Sequence, residues 1–224
     1  MKVSEAVAAR FSARAFLAEP VSASQIRRIL ERARQAPSGG NLQPWHVYVV
    51  AGHKLQALVG QVAGSAAAHP RGEPPEYNVY PPDLHEPYRS RRYKCGEDLY
   101  SALGIPREDK PARLRQFAKN LQGFGAPMVL FFTIDRAMGQ NQWAHLGMFM
   151  QTVMLLALEE GLHTCPQEAW SAFHSTVSAF IGMPDEQMFY CGMAIGHADL
   201  DHPVNRWRTG RAPLEEIATF LLDD

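Results

Sequence analysis

Arg10-Phe11-Ser12-Ala13-Arg14 and, one amphipathic helix later, Ala36-Pro37-Ser38-Gly39-Gly40-Asn41-Leu42-Gln43-Pro44-Trp45 are the stretches from which the rest of the chain is read. The first places two guanidiniums and a hydroxyl side by side, the donor set that a phosphate needs. The second is a loop of small residues and amides closed by an aromatic. Its glycines and serine admit a ligand close to the backbone, and Asn41 and Gln43 offer both donors and acceptors. The edge of an isoalloxazine needs that mixed pattern. Taken singly, the arginines are also explained as solvated charge at a helix end, and Pro-Ser-Gly-Gly-Asn as a helix stop and turn. A second basic stretch, Asn205-Arg206-Trp207-Arg208-Thr209-Gly210-Arg211, shifts the balance, because two arginine clusters can grip one phosphate from opposite sides. The pattern points to a phosphorylated, planar cofactor, and so to an enzyme.

Composition narrows the class. With 224 residues, 46% of them hydrophobic, the chain can build a proper core as one domain spanning 1–224. A net charge of -1 gives no global electrostatic reason to bind nucleic acid or an anionic membrane. Cys95, Cys165 and Cys191 are odd in number and widely spaced, which fits a reducing compartment better than a disulfide framework or a zinc site. No apolar leader opens the chain, and the longest apolar run, Leu146 to Leu158, is too short to span a bilayer. A cytoplasmic protein is expected.

Periodicity predicts helices over residues 4–10, 23–34, 53–67, 88–103, 108–122, 144–160 and 170–181, with strands over 46–50, 127–134 and 188–195. Ser22 to Gln25 reads as a capping box, and Pro213 as the first residue of a short last helix. The 144–160 helix is apolar nearly all round, which puts it in the core or in a subunit interface. Interleaved strands and helices give an α+β (or α/β) domain. Residues 68–87 carry Pro70, Pro74, Pro75, Pro81, Pro82 and Pro87, which bar regular structure. Their tyrosines argue against disorder, so a lid excursion is expected over about 68–92.

Several chemistries find no support. The glycines near residue 40 do not form GxGxxG and follow no strand. Gly192 and Gly196 lack the Lys-Ser/Thr of a phosphate loop, and no Gly-x-Ser-x-Gly or Ser/His/Asp set is present. His163, His174, His197 and His202 lack a zinc-ligand spacing, and surface or capping roles suit them better; no metal is expected. Trp45, Trp143, Trp170 and Trp207 are read as core residues, and Trp170 and Phe124 could also wall a flavin or a substrate.

Arg10-x-Ser12-x-Arg14-x-Phe16, followed by Ala36-Pro37-Ser38-Gly39-Gly40-Asn41-x-Gln43-Pro44-Trp45, resembles the FMN-dependent nitroreductase family. The likeness continues through Asn120 and Phe124-Gly125-Ala126-Pro127, through Cys165-Pro166-Gln167-Glu168-Ala169, and through Arg208-x-x-Arg211-x-Pro213-Leu214, in order along almost the whole chain. The resemblance implies a nitroreductase-like fold: a central mixed sheet flanked by helices in an interlocked homodimer, with FMN in two interfacial pockets. It implies that Arg10, Ser12, Arg14, Arg208 and Arg211 hold the phosphate and ribityl chain. Pro37, Ser38, Gly39 and Asn41 would approach the flavin of the other subunit. Asn120 would bond the pyrimidine edge, with Pro166, Gln167, Glu168 and Ala169 along the opposite side. Phe11 stands where many members have a polar residue, and Lys119 and Gln122 both stand near the place of a basic residue found in some. No catalytic side chain is implied, since the flavin carries the hydride chemistry. NADH or NADPH would supply electrons by a ping-pong mechanism to a small aromatic acceptor, a nitroaromatic or a quinone. Tyr88, Arg91, Arg92 and Phe124 are candidate substrate contacts, and the arginines suit a nitrobenzoate-like compound. Two alternatives remain at this point: a reductive dehalogenase or other flavin chemistry on the same fold, loosely echoed by Glu97 and Tyr100, and a flavin-binding protein without turnover.

Overall fold

The apolar run from Met128 to Asp135 forms an inner strand, β2 (Met128–Asp135), in the computed structural model, which describes residues 1–222. Its neighbours are β1 (Trp45–Ala51) at one edge and β4 (Gln187–Gly196), with β3 (His163–Gln167) at the other edge, giving the order β1-β2-β4-β3. Alternation along β2 sends Met128, Leu130, Phe132 and Ile134 to one face and Val129 and Phe131 to the other. On the first face pack α2 (Ala23–Ala33), through Ile26, Ile29 and Ala33, and α6 (Gln140–Glu159), through Leu146, Phe149, Met150, Val153 and Ala157. On the second pack α3 (Gly52–Ala68), through Leu55, Leu58 and Val62, and α7 (His174–Ile181), through Val177, with Trp170 and Phe173. A strand covered on both faces needs no polar alternation, and β2 has almost none.

The expected mixed sheet is corrected to antiparallel ladders: all three paired edges run antiparallel. Among the described residues, parallel pairing is confined to the isolated bridge of Ser12 with Thr164. Alternating strands and helices favour parallel pairing when each link is a single crossover. Here everything from Gly52 to Pro127 separates β1 from β2, and so long a link imposes no direction.

Local readings hold with shifted ends. α1 (Val3–Ala9) and the capping box at Ser22 are present. α4 covers Tyr88–Ala102. The 108–122 helix divides into α5 (Lys110–Ala118) and a 3-10 segment, Lys119–Gly125. The 170–181 helix begins as a 3-10 turn, Glu168–Phe173. A short α8 (Pro203–Arg206) and β3 are additional. β3 contains Pro166, which hides a strand from propensity but is tolerated at a sheet edge, where one N–H needs no partner. After Pro213 the chain makes a single 3-10 turn, Leu214–Glu216.

Residues 69–87 have no regular structure but are tied down. The Glu73 carboxylate accepts from the Ser65 hydroxyl, from the Ser175 N–H at 2.8 Å and from the Thr176 hydroxyl at the start of α7. Glu76 pairs with Arg136 and His174, and the Tyr77 hydroxyl donates to the Tyr190 carbonyl.

Gly192 and Gly196 serve packing, in keeping with their lack of a phosphate-loop sequence. A Cβ at Gly192 would stand 2.5 Å from Trp170 Cδ1, and one at Gly196 would stand 2.8 Å from Pro127 Cδ. Gly192→Ala is expected to destabilise the fold by about 2 kcal/mol or more, because Trp170 has no room to retreat. A thermal melt within a degree of the parent would contradict this packing.

Candidate functional site

The segment after α1 is laid along the free edge of β3. The Ala13 N–H donates to the Thr164 carbonyl at 3.0 Å and the Leu17 N–H to the His197 carbonyl at 2.8 Å. This extended course brings Arg10, Ser12 and Arg14 to one pocket of about 650 Å³. The far end of the chain reaches the same pocket through Asn205, which is 1% exposed. Its Oδ1 accepts from the Arg14 N–H at 2.8 Å, and its Nδ2 donates to the carbonyls of Ala15 (2.7 Å) and Asp199 (2.8 Å). The loop beyond therefore presents Arg208 and Arg211 to Arg10 and Arg14. Asn205 escaped the sequence reading; its one signal is its place beside the basic loop.

These four arginines have no carboxylate partner among the described residues. Arg14, Arg208 and Arg211 donate only to nearby oxygens of Ser12, Asn205, Trp207, Thr209 and Gly210. The Arg208 guanidinium lies 4.0 Å from the centre of the Phe11 ring, so the aromatic at that position still engages the cluster. Burial, and then the charge of Arg211, hold the Arg10 pKa below its ordinary value. A concentrated positive site without its own counter-charge is built for an anion.

A second cavity, about 710 Å³, opens further along β3. Asn120, Pro166, Gln167, Glu168 and Ala169 line it together with Tyr77, Tyr80, Arg92 and Tyr190. α6 contributes to both spaces: Gly147, Met150 and Met154 line this cavity and Gln151 lines the arginine pocket. Those positions are three or four apart and share one helical stripe. The helix expected to be core or interface thus packs into the core and also lines the site, Met150 taking part in both.

Gln167 is 2% exposed, and its side chain is already engaged. Its Nε2 donates to the Asn120 carbonyl at 2.6 Å, and its Oε1 accepts from Trp170 Nε1 at 3.4 Å. The side chain is therefore a brace between β3 and the 119–125 segment. Asn120 Nδ2 donates to the Phe117 carbonyl at 2.9 Å, leaving its side-chain oxygen as an acceptor. Burial raises the carboxyl pKa of Glu168, and burial followed by Cys191 and Glu168 pushes Tyr190 up to about 12. The Cys165 thiol, next to Pro166, is pushed up to about 11 by burial, against the pull of Arg14 and Arg10, and stays protonated at neutral pH.

Other expected residues lie elsewhere. Pro37, Ser38, Gly39 and Asn41 line neither cavity. Their loop is braced by the Gln43 N–H on Ser38 Oγ (2.9 Å) and meets α6 where the Gly39 N–H donates to His145 Nε2 (3.4 Å). Gly40 and Asn41 take positive φ, which these residue types tolerate. Of the four substrate candidates, Arg92 alone lines the larger cavity. Arg91 turns to Glu216 at 2.5 Å, and Tyr88 is exposed beside His85. Phe124 is buried with Phe16, Ala126, Cys165 and Ala194. Trp170 is fully buried against Phe131 and walls neither space. His202 caps α8 as expected, its Nδ1 accepting from the Val204 N–H, whereas His163 is half-buried on Phe11. No group of three or more potential metal ligands occurs, and no helix is long and apolar enough to cross a membrane, among the described residues.

Known proteins share this arrangement of sequence and fold. The family model described as "Nitroreductase family" matches residues 7–197. The chain is 39% identical to the nitrobenzene nitroreductase of Ectopseudomonas oleovorans, over 95% of this chain and 93% of that protein. It is equally 39% identical to the 4-nitrobenzoate reductase of Pseudomonas putida, over 96% and 93%. The crystal structure of the FMN and NADPH-dependent nitroreductase NfnB from sphigopyxis sp. strain HMH superposes with a TM-score of 0.97 at 48% identity and covers both chains completely.

Two outcomes follow from the geometry. Asn205→Ala removes three hydrogen bonds from a buried amide and should lower stability by about 3 kcal/mol, seen as a clear loss in thermal midpoint. For Glu73, burial raises the carboxyl pKa, but the bonds from Thr176, Ser65 and Ser175 outweigh it and hold it low. Its stabilisation is therefore present above the unfolded value of about 4.3 and is lost as pH falls through the folded one. Tyr77 packs edge-on against Trp143, so acidification below about pH 4 should change Trp143 fluorescence. Glu73→Gln should abolish that step; an identical titration in the variant would count against the tether.

Proposed function

The chain belongs to the nitroreductase family, and from that premise we propose that it is an FMN-dependent oxidoreductase that uses NAD(P)H to reduce nitroaromatic compounds. The observation that carries this is the arginine cluster without counter-charge, set along the same strand and helix as a cavity with tyrosine, amide and thioether walls. A phosphate on a flexible tail and a flat ring suit the two spaces, and the relatives named above reduce nitrobenzene, reduce 4-nitrobenzoate, or depend on FMN and NADPH.

In this reading Arg10, Arg14, Arg208 and Arg211 neutralise the phosphate, and Ser12 and Gln151 lie beside the sugar chain. Asn120 keeps an acceptor free at the ring cavity because Gln167 fixes its backbone. The backbone of Glu168 and Ala169 offers donors at the wall, which favours a reduced, anionic ring electrostatically. Tyr77 and Tyr80 exclude water from one side. When bound, FMN would supply hydride chemistry between the nicotinamide and the nitro group, with protons taken up from solvent as water leaves, so no nucleophile of the chain is required.

A homodimer completes the proposal. Val3 and Val7 of α1 and Met148 of α6 are exposed in the single chain, as are Ile217 and Phe220 near its end. A protein that stayed monomeric would rarely leave so much apolar surface open. The Ser38–Asn41 loop, which does not line its own chain's arginine pocket, would reach the partner's. The dehalogenase alternative loses ground: Glu97 is bound to Arg113 at 2.6 and 3.1 Å, and Tyr100 lies beneath the same guanidinium. Both side chains are occupied by structure.

The purified protein should be yellow, bleach anaerobically with NADPH or NADH, and regain its spectrum on adding nitrobenzene. A spectrum that neither nucleotide bleaches would favour a flavin-binding protein without turnover. Arg10→Ala with Arg14→Ala should remove at least two charge-assisted contacts and weaken FMN binding by a hundredfold or more, on the order of 3 kcal/mol. Full flavin retention after gel filtration of the double variant would overturn the phosphate assignment.

A further inference from the structure

We propose that Arg71 and Arg92 form a pair that reads a carboxylate, so that this enzyme prefers nitroaromatics bearing an anionic substituent over uncharged ones. The inference rests on the proposed function and specifies the substrate class of the same cavity. Both arginines line that cavity, one from the irregular 69–87 segment and one from α4. Neither has a carboxylate partner among the described residues. The Arg92 guanidinium rests 4.0 Å from the centre of the Tyr80 ring, which orients it without neutralising it.

The nearby carboxyl groups form no ion pair with either arginine. Glu73 lines the cavity as a carboxylate, but its oxygens are taken up by Ser65, Ser175 and Thr176. Glu168 also lines it, yet burial disfavours its ionised form. Arg91 is excluded although it adjoins Arg92 in sequence. One residue turns a helix by about 100°, and Arg91 therefore faces the C-terminal segment and Glu216. The same cavity has apolar and aromatic wall from Pro75, Tyr77, Tyr80 and Met154. A flat ring fits against such a wall, and a guanidinium fork matches a carboxylate on its rim bidentately.

The test uses the FMN-loaded protein and two readouts. Benzoate and benzamide, which carry no nitro group, are titrated against the oxidised flavin spectrum, and kcat/KM is measured for 4-nitrobenzoate and nitrobenzene. The parent should bind benzoate about tenfold more tightly than benzamide, and Arg71→Gln with Arg92→Gln should abolish that preference. The ratio of kcat/KM for 4-nitrobenzoate to that for nitrobenzene should fall about tenfold in the double variant and be partly restored by Arg71→Lys with Arg92→Lys. Equal affinity of the parent for benzoate and benzamide, or an unchanged ratio in the double variant, would overturn the pair. So would a loss confined to the anaerobic bleaching by NADPH relative to NADH, which would give the arginines to a nucleotide phosphate. Benzoate selectivity without turnover of either nitroarene would support the pair while refuting the proposed function.

Discussion

One buried amide holds the arginine cluster of this protein together. Asn205 accepts from the Arg14 N–H and donates to the carbonyls of Ala15 and Asp199, sealed from solvent. Arg14 and Arg208, nearly the whole chain apart in sequence, are neighbours because of those three bonds. A buried amide that lost any partner would carry the full desolvation cost of an unsatisfied polar group. The arrangement is therefore close to all-or-none, which is what a site assembled from both ends of a chain requires.

The cluster that Asn205 assembles works against the fold that contains it. Arg10, Arg14, Arg208 and Arg211 repel one another, and the lowered pKa of Arg10 reports that repulsion together with its burial. No acid relieves them among the described residues. An anion that entered would bring both its own contacts and relief of the repulsion, so ligand and fold would stabilise each other by linkage. The larger cavity follows a different logic: its walls are fixed by neutral bonds, with Gln167 spanning Asn120 and Trp170.

The 69–87 segment shows how an irregular stretch is kept in place. Its prolines forbid ladders, and its anchors are side chains: Glu73 on the start of α7, Glu76 between Arg136 and His174, and Tyr77 on the Tyr190 carbonyl. Tyr77 and Tyr80 of this segment line the larger cavity. The arginines of the larger cavity were harder to read. Arg91 and Arg92 look equivalent in the sequence, but helical rotation sends one to Glu216 and the other to the cavity. Arg71 stood in the excursion with nothing to distinguish it from a solvated charge.

By itself the sequence determined the element types, the apolar core strand, the punctuation at Pro37–Gly40 and 69–87, and the family, because each is written in local composition, spacing or ordered motifs. It also placed Arg10, Ser12, Arg14 and Arg211 among the candidates, since a phosphate demands particular residue types, and Asn120 and Pro166 through the family motifs they resemble. Only the tertiary structure decided that the ladders are antiparallel, that 163–167 is an edge strand despite Pro166, and that Phe124 and Trp170 lie in the core. Only it revealed Asn205, the double use of α6 and the cavity that Arg71 and Arg92 both line. The reason is physical. Helical period and chain stiffness act over a few residues, whereas strand direction, burial and the convergence of charges depend on which distant segments come to share one space.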